Sequence, residues 1–344
     1  MSKLRVAVVM GGPAPEREVS LRSGQMVLKN LDPTQYEAFG LDLSDLLGRP
    51  EALAALKAQA DFVFLAVHGV PGEDGMVQGM LEVLGLPYYG SGVMASAIAM
   101  NKVRAKAIYR ELGLPQAASL DLVHVEGQTW RRGLSPLFPA GTDRLSEPEI
   151  DALLAPLGPE LVLKGASLGS TLGLAMVSDR ADFWPAMHQL LAFEREILIE
   201  ERIRGLEVTC AVIGGEELQA LPLVEIRPKS GELFDYEAKY TPGASEEICP
   251  ARIDEALTER VQALAMQAHR GLGCWGVSRS DFMIRDGVPY ILETNTLPGL
   301  TENSLVPIAA RTAGIMLPEL LDRFIAWGLE RQGKSLGRAE AARR

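Results

Sequence analysis

Cysteine is scarce in this sequence: Cys210, Cys249 and Cys274 are the only three in 344 residues, far apart and with no Cys-x-x-Cys spacing. That argues against both a disulfide framework and a zinc ribbon, and a reducing cytosol suits the thiols. Long apolar runs are missing too. No stretch approaches the roughly twenty apolar residues needed to cross a bilayer, and Gly11 and Gly12 stop the run Val6 to Met10 before a signal-peptide core can form. The expectation is a soluble, cytoplasmic chain. Positive charge is in deficit, with 34 Lys and Arg against 45 Asp and Glu for a net charge of -11. Phosphate backbones and anionic membranes need clustered Lys and Arg, so neither nucleic acid nor membrane is an expected partner. The basic end from Arg338 to Arg344 reads as a solvated tail, and no internal repeat or heptad is present.

What is present points to a folded, multi-domain protein. Hydrophobic residues at 47% and charged residues at 23% fit an ordinary globular chain, and this length suits two or three packed domains. Val6 to Met10 is a β-rich run closed by Gly11-Gly12, and a helical pattern follows from Glu16 to Leu31. Glu37 to Leu43, a helix from Pro50 to Ala60 and the buried run Phe62 to Val67 continue an alternation typical of a parallel α/β sheet. Ligands of such sheets gather beyond the carboxyl ends of the strands. One helix is expected over Ala95 to Leu112, with less regular chain from Glu126 to Pro159. A small α+β unit should then carry the strand Leu161 to Lys164, a helix near Ala181 to Phe193 and the strand Ile197 to Glu200. Strands Glu207 to Ile213 and Leu221 to Ile226, a helix from Asp254 to Gly271, a hairpin from Gly276 to Glu293 and a helix near Leu317 to Gln332 complete the reading.

Four constellations carry chemistry. Arg279-Ser-Asp281 and Glu293-Thr-Asn295 put an arginine and three hard oxygen donors on neighbouring extended segments. Magnesium takes such oxygens and commonly shares them with substrate phosphates. Glu293 and Asn295, two apart, face one way on a strand. A strict two-residue Asp286-Gly287 turn, however, puts Asp281 and Glu293 on opposite faces, so a metal site demands an odd loop or a bulge. An ordinary hairpin with solvated charges is the competing reading. Lys164, before the glycine and hydroxyl-rich loop Gly165 to Gly173, offers backbone N–H groups and a point charge to phosphates, although it is no Walker loop. His68-Gly-Val-Pro-Gly-Glu-Asp-Gly75 lies at the end of a buried strand, where a lone histidine more often serves structure. Finally, Glu16 begins a helix, where its carboxylate is favoured by the dipole in any case, and Lys239 and Tyr240 precede a Pro242-Gly243 loop.

In this order the segments resemble the D-alanine-D-alanine ligases of the ATP-grasp superfamily. The match runs nearly the whole chain, through Gly-Gly-x-x-x-Glu16-Arg-Glu-Val-Ser20, His68-Gly-x-x-Gly-Glu-Asp-Gly75, Tyr89-Gly-Ser-Gly92, Met100-x-Lys102, Tyr236-Glu-Ala-Lys239-Tyr240 and Glu293-x-Asn-Thr-x-Pro-Gly-Leu-Thr301. The resemblance implies a three-domain ATP-grasp architecture of mixed α/β and α+β class: an N-terminal parallel α/β domain over 1–95, a central lid domain over 96–204 and a C-terminal catalytic and metal-binding domain over 205–344. It implies ATP between the last two domains, with Lys102, Lys164 and Lys239 around the nucleotide, Glu200 and Ile203 holding adenine and Glu207 the ribose. Asp281, Glu293 and Asn295 are then ligands of two magnesium or manganese ions. Arg279 and the Gly299 N–H stabilise a tetrahedral oxyanion, and Glu16 accepts the ammonium of the first D-alanine within a hydrogen-bonded set with Ser170 and Tyr240. His68 orients the first substrate, while Ser304 and Leu305 cradle the second carboxylate. A cytoplasmic homodimer making D-alanyl-D-alanine for peptidoglycan precursors is what the family leads one to expect.

The chain departs from the family pattern at Gly165, where a proline usually follows the loop lysine, and at Ser167-Leu168, which replaces a more polar pair. A ligase using D-lactate or another amino acid as nucleophile is the alternative enzyme; Tyr240 favours the dipeptide. A nucleotide-binding regulator without chemistry should lack Asp281, Glu293 or Arg279, and all three are there.

Overall fold

The computed structural model describes residues 3–125, 129–132, 144–168, 173–228 and 245–333. The first unit runs β1 (Leu4–Met10), α1 (Arg17–Asn30), β2 (Tyr36–Asp42), α2 (Leu43–Leu46), α3 (Pro50–Gln59), β3 (Phe62–Leu65) and α4 (Met76–Leu84). Its three strands pair in parallel in the order β2-β1-β3. Burial of every residue of β3 follows from coverage of both faces. The turn Gly11-Gly12 and the turn His68-Gly69 leave the carboxyl ends of adjacent strands, as the alternation of the sequence predicts.

Two helices follow, α5 (Val93–Met100) and α6 (Lys102–Glu111), where the sequence pattern suggests one. Asn101 separates them: its backbone is extended, and its side chain caps α6 by accepting from the Arg104 N–H at 3.0 Å. An asparagine that satisfies a first-turn donor makes a better helix start than a helix interior.

The second sheet comprises β4 (Ser119–Val125), β5 (Thr129–Arg132), β6 (Arg144–Leu145), β7 (Leu161–Gly165), β8 (Leu174–Val177) and β9 (Glu196–Glu201), in the antiparallel order β6-β5-β4-β9-β7-β8. Helices α7 (Glu147–Leu154) and α8 (Phe183–Leu190) lie in the same unit. Within the stretch expected to be irregular, α7 starts at a capping box in which the Ser146 N–H donates to Glu149 at 2.8 Å. Leu120, Leu122, Ile150, Leu163, Phe183 and Ile199 belong to a core of this unit's own.

The third sheet holds β10 (Leu206–Gly214), β11 (Leu218–Ala220), β12 (Val224–Pro228) and β13 (Ser245–Ile248), then, after α9 (Glu255–Leu272), β14 (Gly276–Arg285) and β15 (Val288–Asn295). Its order is β13-β12-β10-β14-β15 with β11 beside β10, and all its pairings are antiparallel. One face packs on α9, where Val208, Cys210 and Phe282 meet Ala105 and Tyr109 of α6 in a shared core. The final helices α10 (Leu305–Thr312) and α11 (Leu317–Arg331) join the core of the first unit. There Tyr89 stacks on Phe64 with ring centroids 4.4 Å apart and meets Phe324 of α11 at 4.8 Å. The first unit and the last two helices therefore close over one apolar cluster.

The β14–β15 hairpin settles the geometric question posed by the sequence. Arg285 pairs with Val288, so the turn is the strict two-residue Asp286-Gly287, and both residues have positive φ, 53° and 73°. This is the turn whose twist suits a hairpin. Yet Phe282 pairs with Ile291 while Asp281 pairs with Glu293, which leaves Leu292 as a bulge. One unpaired residue restores the parity that the turn alone destroys. A Cβ on Gly287 meets nothing within 4 Å, so only backbone strain opposes a side chain there. Gly287→Val should thus cost about 1–2 kcal/mol, seen as a lower denaturation midpoint, whereas Asp286→Gly should change stability by less than about 0.5 kcal/mol.

Candidate active site

Because directly paired residues of an antiparallel ladder share a face, Asp281 and Glu293 stand together, and so do the next pair on that face, Arg279 and Asn295. β10 adds its own residues: Thr209 pairs with Asp281 and Ala211 with Arg279, while Glu207 lies two residues along on the same face. Arg279 grips Asp281 with a two-pronged fork, Nε to Oδ1 and a terminal nitrogen to Oδ2, each at 2.8 Å. The Thr209 hydroxyl donates to the same Oδ1 at 2.6 Å. Asp281 is only 7% exposed, and these three donors stand in for the water its carboxylate loses on burial.

Among the described residues no group of three or more His, Cys, Asp or Glu is arranged to hold a metal. A cation on this hairpin therefore finds two carboxylates, Asp281 and Glu293, and must draw further protein oxygen from an amide such as that of Asn295. The Lys102 Nζ lies 3.8 Å from Glu293 Oε2 and donates to the Leu168 carbonyl at 2.7 Å, so one cation links the hairpin to the start of the glycine loop. Asn101 supports the same loop by donating to the Ser167 hydroxyl at 2.9 Å.

Behind that loop lies a second charged group. Lys164 on β7 and Glu200 on β9 sit on one face of their strand pair, with Nζ 2.7 Å from Oε2. Lys106 of α6 reaches the other oxygen of Glu200 at 2.5 Å and donates to the Ala117 carbonyl at 3.2 Å. Burial pushes the Glu200 carboxyl up, but the two ammonium groups more than offset this and hold it down at about 2. Glu200 is thus an anion throughout the neutral range. Ile203, just beyond β9, is buried, and Glu207 is the second residue of the next strand.

The loops of the first sheet face the hairpin. Glu16, at the start of α1, is buried although its side chain makes no cap hydrogen bond. Gly69, with φ of 70°, packs so closely that a Cβ there falls 2.5 Å from Glu16 Oε2. His68 Nε2 is 3.1 Å from the Ser23 hydroxyl. Desolvation lowers its pKa to about 4, with a hydrogen bond to the Leu297 backbone opposing and the Arg279 charge assisting. The Gly69 N–H donates to Glu73 at 2.6 Å. Desolvation raises the Glu73 carboxyl to about 7, against that hydrogen bond and with repulsion from Glu16 on the same side.

Gly299 lies against Ser304, whose hydroxyl would stand 2.9 Å from a Cβ at that position. Ser304 precedes α10 and accepts from the Thr301 N–H at 2.9 Å, and Leu305 packs against the first unit's core. Ser170, Lys239 and Tyr240 lie outside the described residues. The structure therefore gathers Arg279, Asp281, Glu293, Asn295 and Lys102 at one place and Lys164 with Glu200 at another. Three participants escape a reading of the sequence alone. Thr209 is signalled by its alternation with Glu207 on a strand, Lys106 by its helical i,i+4 spacing from Lys102, and Glu73 by its place inside the His68 to Gly75 motif.

A model described as "D-ala D-ala ligase C-terminus" matches residues 140–326, and one described as "D-ala D-ala ligase N-terminus" matches residues 48–91. A D-alanine–D-alanine ligase of Syntrophobacter fumaroxidans is 43% identical over 329 residues, covering 95% of this chain and 98% of that protein. The crystal structure of D-alanine–D-alanine ligase from Bacillus anthracis superposes with a TM-score of 0.79 at 34% identity, over 96% of this chain and 99% of the other. The same organism's ligase complexed with ATP gives 0.78 at 32% identity, with coverage of 96% and 99%.

The raised Glu73 carboxyl makes a pH test. The folded state holds this proton more tightly than the unfolded chain, so the associated stability is present below the ordinary carboxyl pKa of 4.5 and is lost as pH rises through about 7. Glu73→Gln keeps an acceptor for Gly69 and removes the titration. Relative to the variant, the unmodified protein should lose stability between pH 5 and pH 8 in urea denaturation; parallel curves exclude the assignment.

Proposed function

Because this chain belongs to the D-alanine–D-alanine ligase family, we infer that the open face of the β14–β15 hairpin is where its substrates react. The enzyme uses ATP to join two D-alanines into D-alanyl-D-alanine, the dipeptide of peptidoglycan precursors. A carboxylate oxygen of the first D-alanine attacks the γ-phosphorus, the bond to the bridging oxygen breaks, and ADP leaves. The amine of the second D-alanine then attacks the acyl carbon of D-alanyl phosphate, phosphate departs, and the nitrogen loses a proton.

The observation that carries the site is the convergence of Arg279, Asp281, Glu293 and Asn295 on one face through the bulge at Leu292. Asp281, Glu293 and Asn295 form a hard-oxygen set that fits two magnesium or manganese ions. Bound there, the metal supplies charge neutralisation for the phosphates. Arg279, already beside Asp281, and the Gly299 N–H stabilise the tetrahedral oxyanion, where one donor is worth about 3 kcal/mol of barrier. Lys102, Lys164 and Lys239 serve the nucleotide, with Glu200 and Ile203 at adenine and Glu207 at the ribose. Glu16 takes the ammonium of the first D-alanine and, with Ser170 and Tyr240, holds the glycine loop closed so that water is kept from the acyl phosphate. His68 orients the first substrate. Ser304 and Leu305, at the amino end of α10, receive the second carboxylate, a charge that such a helix end favours.

We read the working parts as residues 1–95 for the first substrate, 96–204 as the lid and 205–344 as the catalytic unit. We further propose that the enzyme works in the cytoplasm as a homodimer. Among the described residues no helix is long and apolar enough to cross a membrane, and the three cysteines are free thiols.

Phosphate release with ATP and magnesium tests this assignment. D-alanine should support turnover, L-alanine should not, and adding D-lactate should leave the dipeptide as the main product. Glu293→Ala should abolish release while the far-ultraviolet circular dichroism stays unchanged; undiminished release rejects the metal assignment.

A further inference from the structure

Two lysines share one buried carboxylate, but the nucleotide site proposed above uses only Lys164. Lys106 is 2% exposed. Its ammonium is held by Glu200 and by the Ala117 carbonyl, and it comes from the interior of α6, whose opposite partner is the third sheet's core. The side chain of Lys164 is 12% exposed against 3% for Lys106. Lys164 ends a strand at the glycine loop, and the charges of Glu293 and Glu207 on the third sheet act on it. The group carries two positive charges and one negative. A buried ion set of this kind is stable only while its charge stays paired, so an incoming polyphosphate can draw off one lysine but not both.

We propose that Lys106 is the fixed counter-ion of Glu200 and Lys164 the exchangeable one, so that Lys164 transfers to the triphosphate while Lys106 keeps the carboxylate in place to accept from the base. The proposal rests on Glu200 as the adenine contact. An ionised carboxylate is an acceptor only. It selects a base that presents an exocyclic amine and disfavours one that presents a carbonyl there. Lys106 is in this sense a positioning residue for nucleobase choice: it touches neither the base nor the phosphates. Without it, Lys164 becomes the sole partner of Glu200 and is withheld from the phosphates.

Steady-state kinetics of the full chain with ATP and with GTP test the division of labour. Lys106→Met should raise KM for ATP by roughly tenfold or more and reduce the ATP-to-GTP preference in kcat/KM, with kcat at saturating ATP changed by no more than about twofold. Lys164→Met should raise KM for both nucleotides alike and leave the preference intact. Glu200→Gln should lose the preference, and adding Lys106→Met to Glu200→Gln should change it no further. An unaltered preference in Lys106→Met overturns the proposal, as does loss of the preference in Lys164→Met, a result that stands even where Lys106→Met fails to fold. An unaltered preference in Glu200→Gln removes the adenine contact itself, and the role of Lys106 with it.

Discussion

Leu292 stands in β15 with no partner in β14, and the orientation of four polar side chains depends on that one unpaired residue. The type of turn at Asp286-Gly287 and the alternation of side chains along a strand would otherwise send Asp281 and Glu293 to opposite faces. Pairing on the turn side of the bulge places Phe282 and Ile291 in the apolar core against α9. Pairing beyond it places Asp281 and Glu293 together on the other face. The bulge therefore serves the core and the proposed site with one hairpin, and re-aiming devices of this kind are common next to active sites.

Charge is handled in two different ways around that hairpin. At its open face, Asp281 is held by Arg279 and Thr209, a tight fork that also orients the guanidinium. Behind the glycine loop, Glu200 is shared between Lys106 and Lys164 in a nearly dry setting. Lys102 lies between the two, near Glu293 on one side and bonded to the Leu168 carbonyl on the other. Such a chain of alternating charges joins two sheets that have separate cores.

The cores explain what is rigid. Residues from both ends of the chain fill one cluster, in which Tyr89, Phe64 and Phe324 stack, so the turns at Gly11 and His68 are held against the third sheet. The second sheet keeps a smaller core of its own. Glu73 and His68, on the first unit and within reach of the Arg279 charge of the third sheet, have opposite shifts, both caused first by desolvation.

Local patterns in the sequence determine the strand–turn–helix alternation of the first unit and the third sheet's hairpin and long helix, and they supply the candidates for the proposed site, because periodicity and turn chemistry act over a few residues. The same patterns miss α7, whose capping box is short, and join α5 to α6 across Asn101, whose preference for a cap outweighs the helical run around it. Only the tertiary structure decides that Asp281 faces Glu293, since a bulge has no sequence signal comparable to a glycine turn. It alone brings Lys106 and Lys164 to the same carboxylate, and Thr209 to Asp281. The residues involved are 94 and 72 positions apart, and such distant side chains meet only when sheets and helices pack, a constraint that no local propensity encodes.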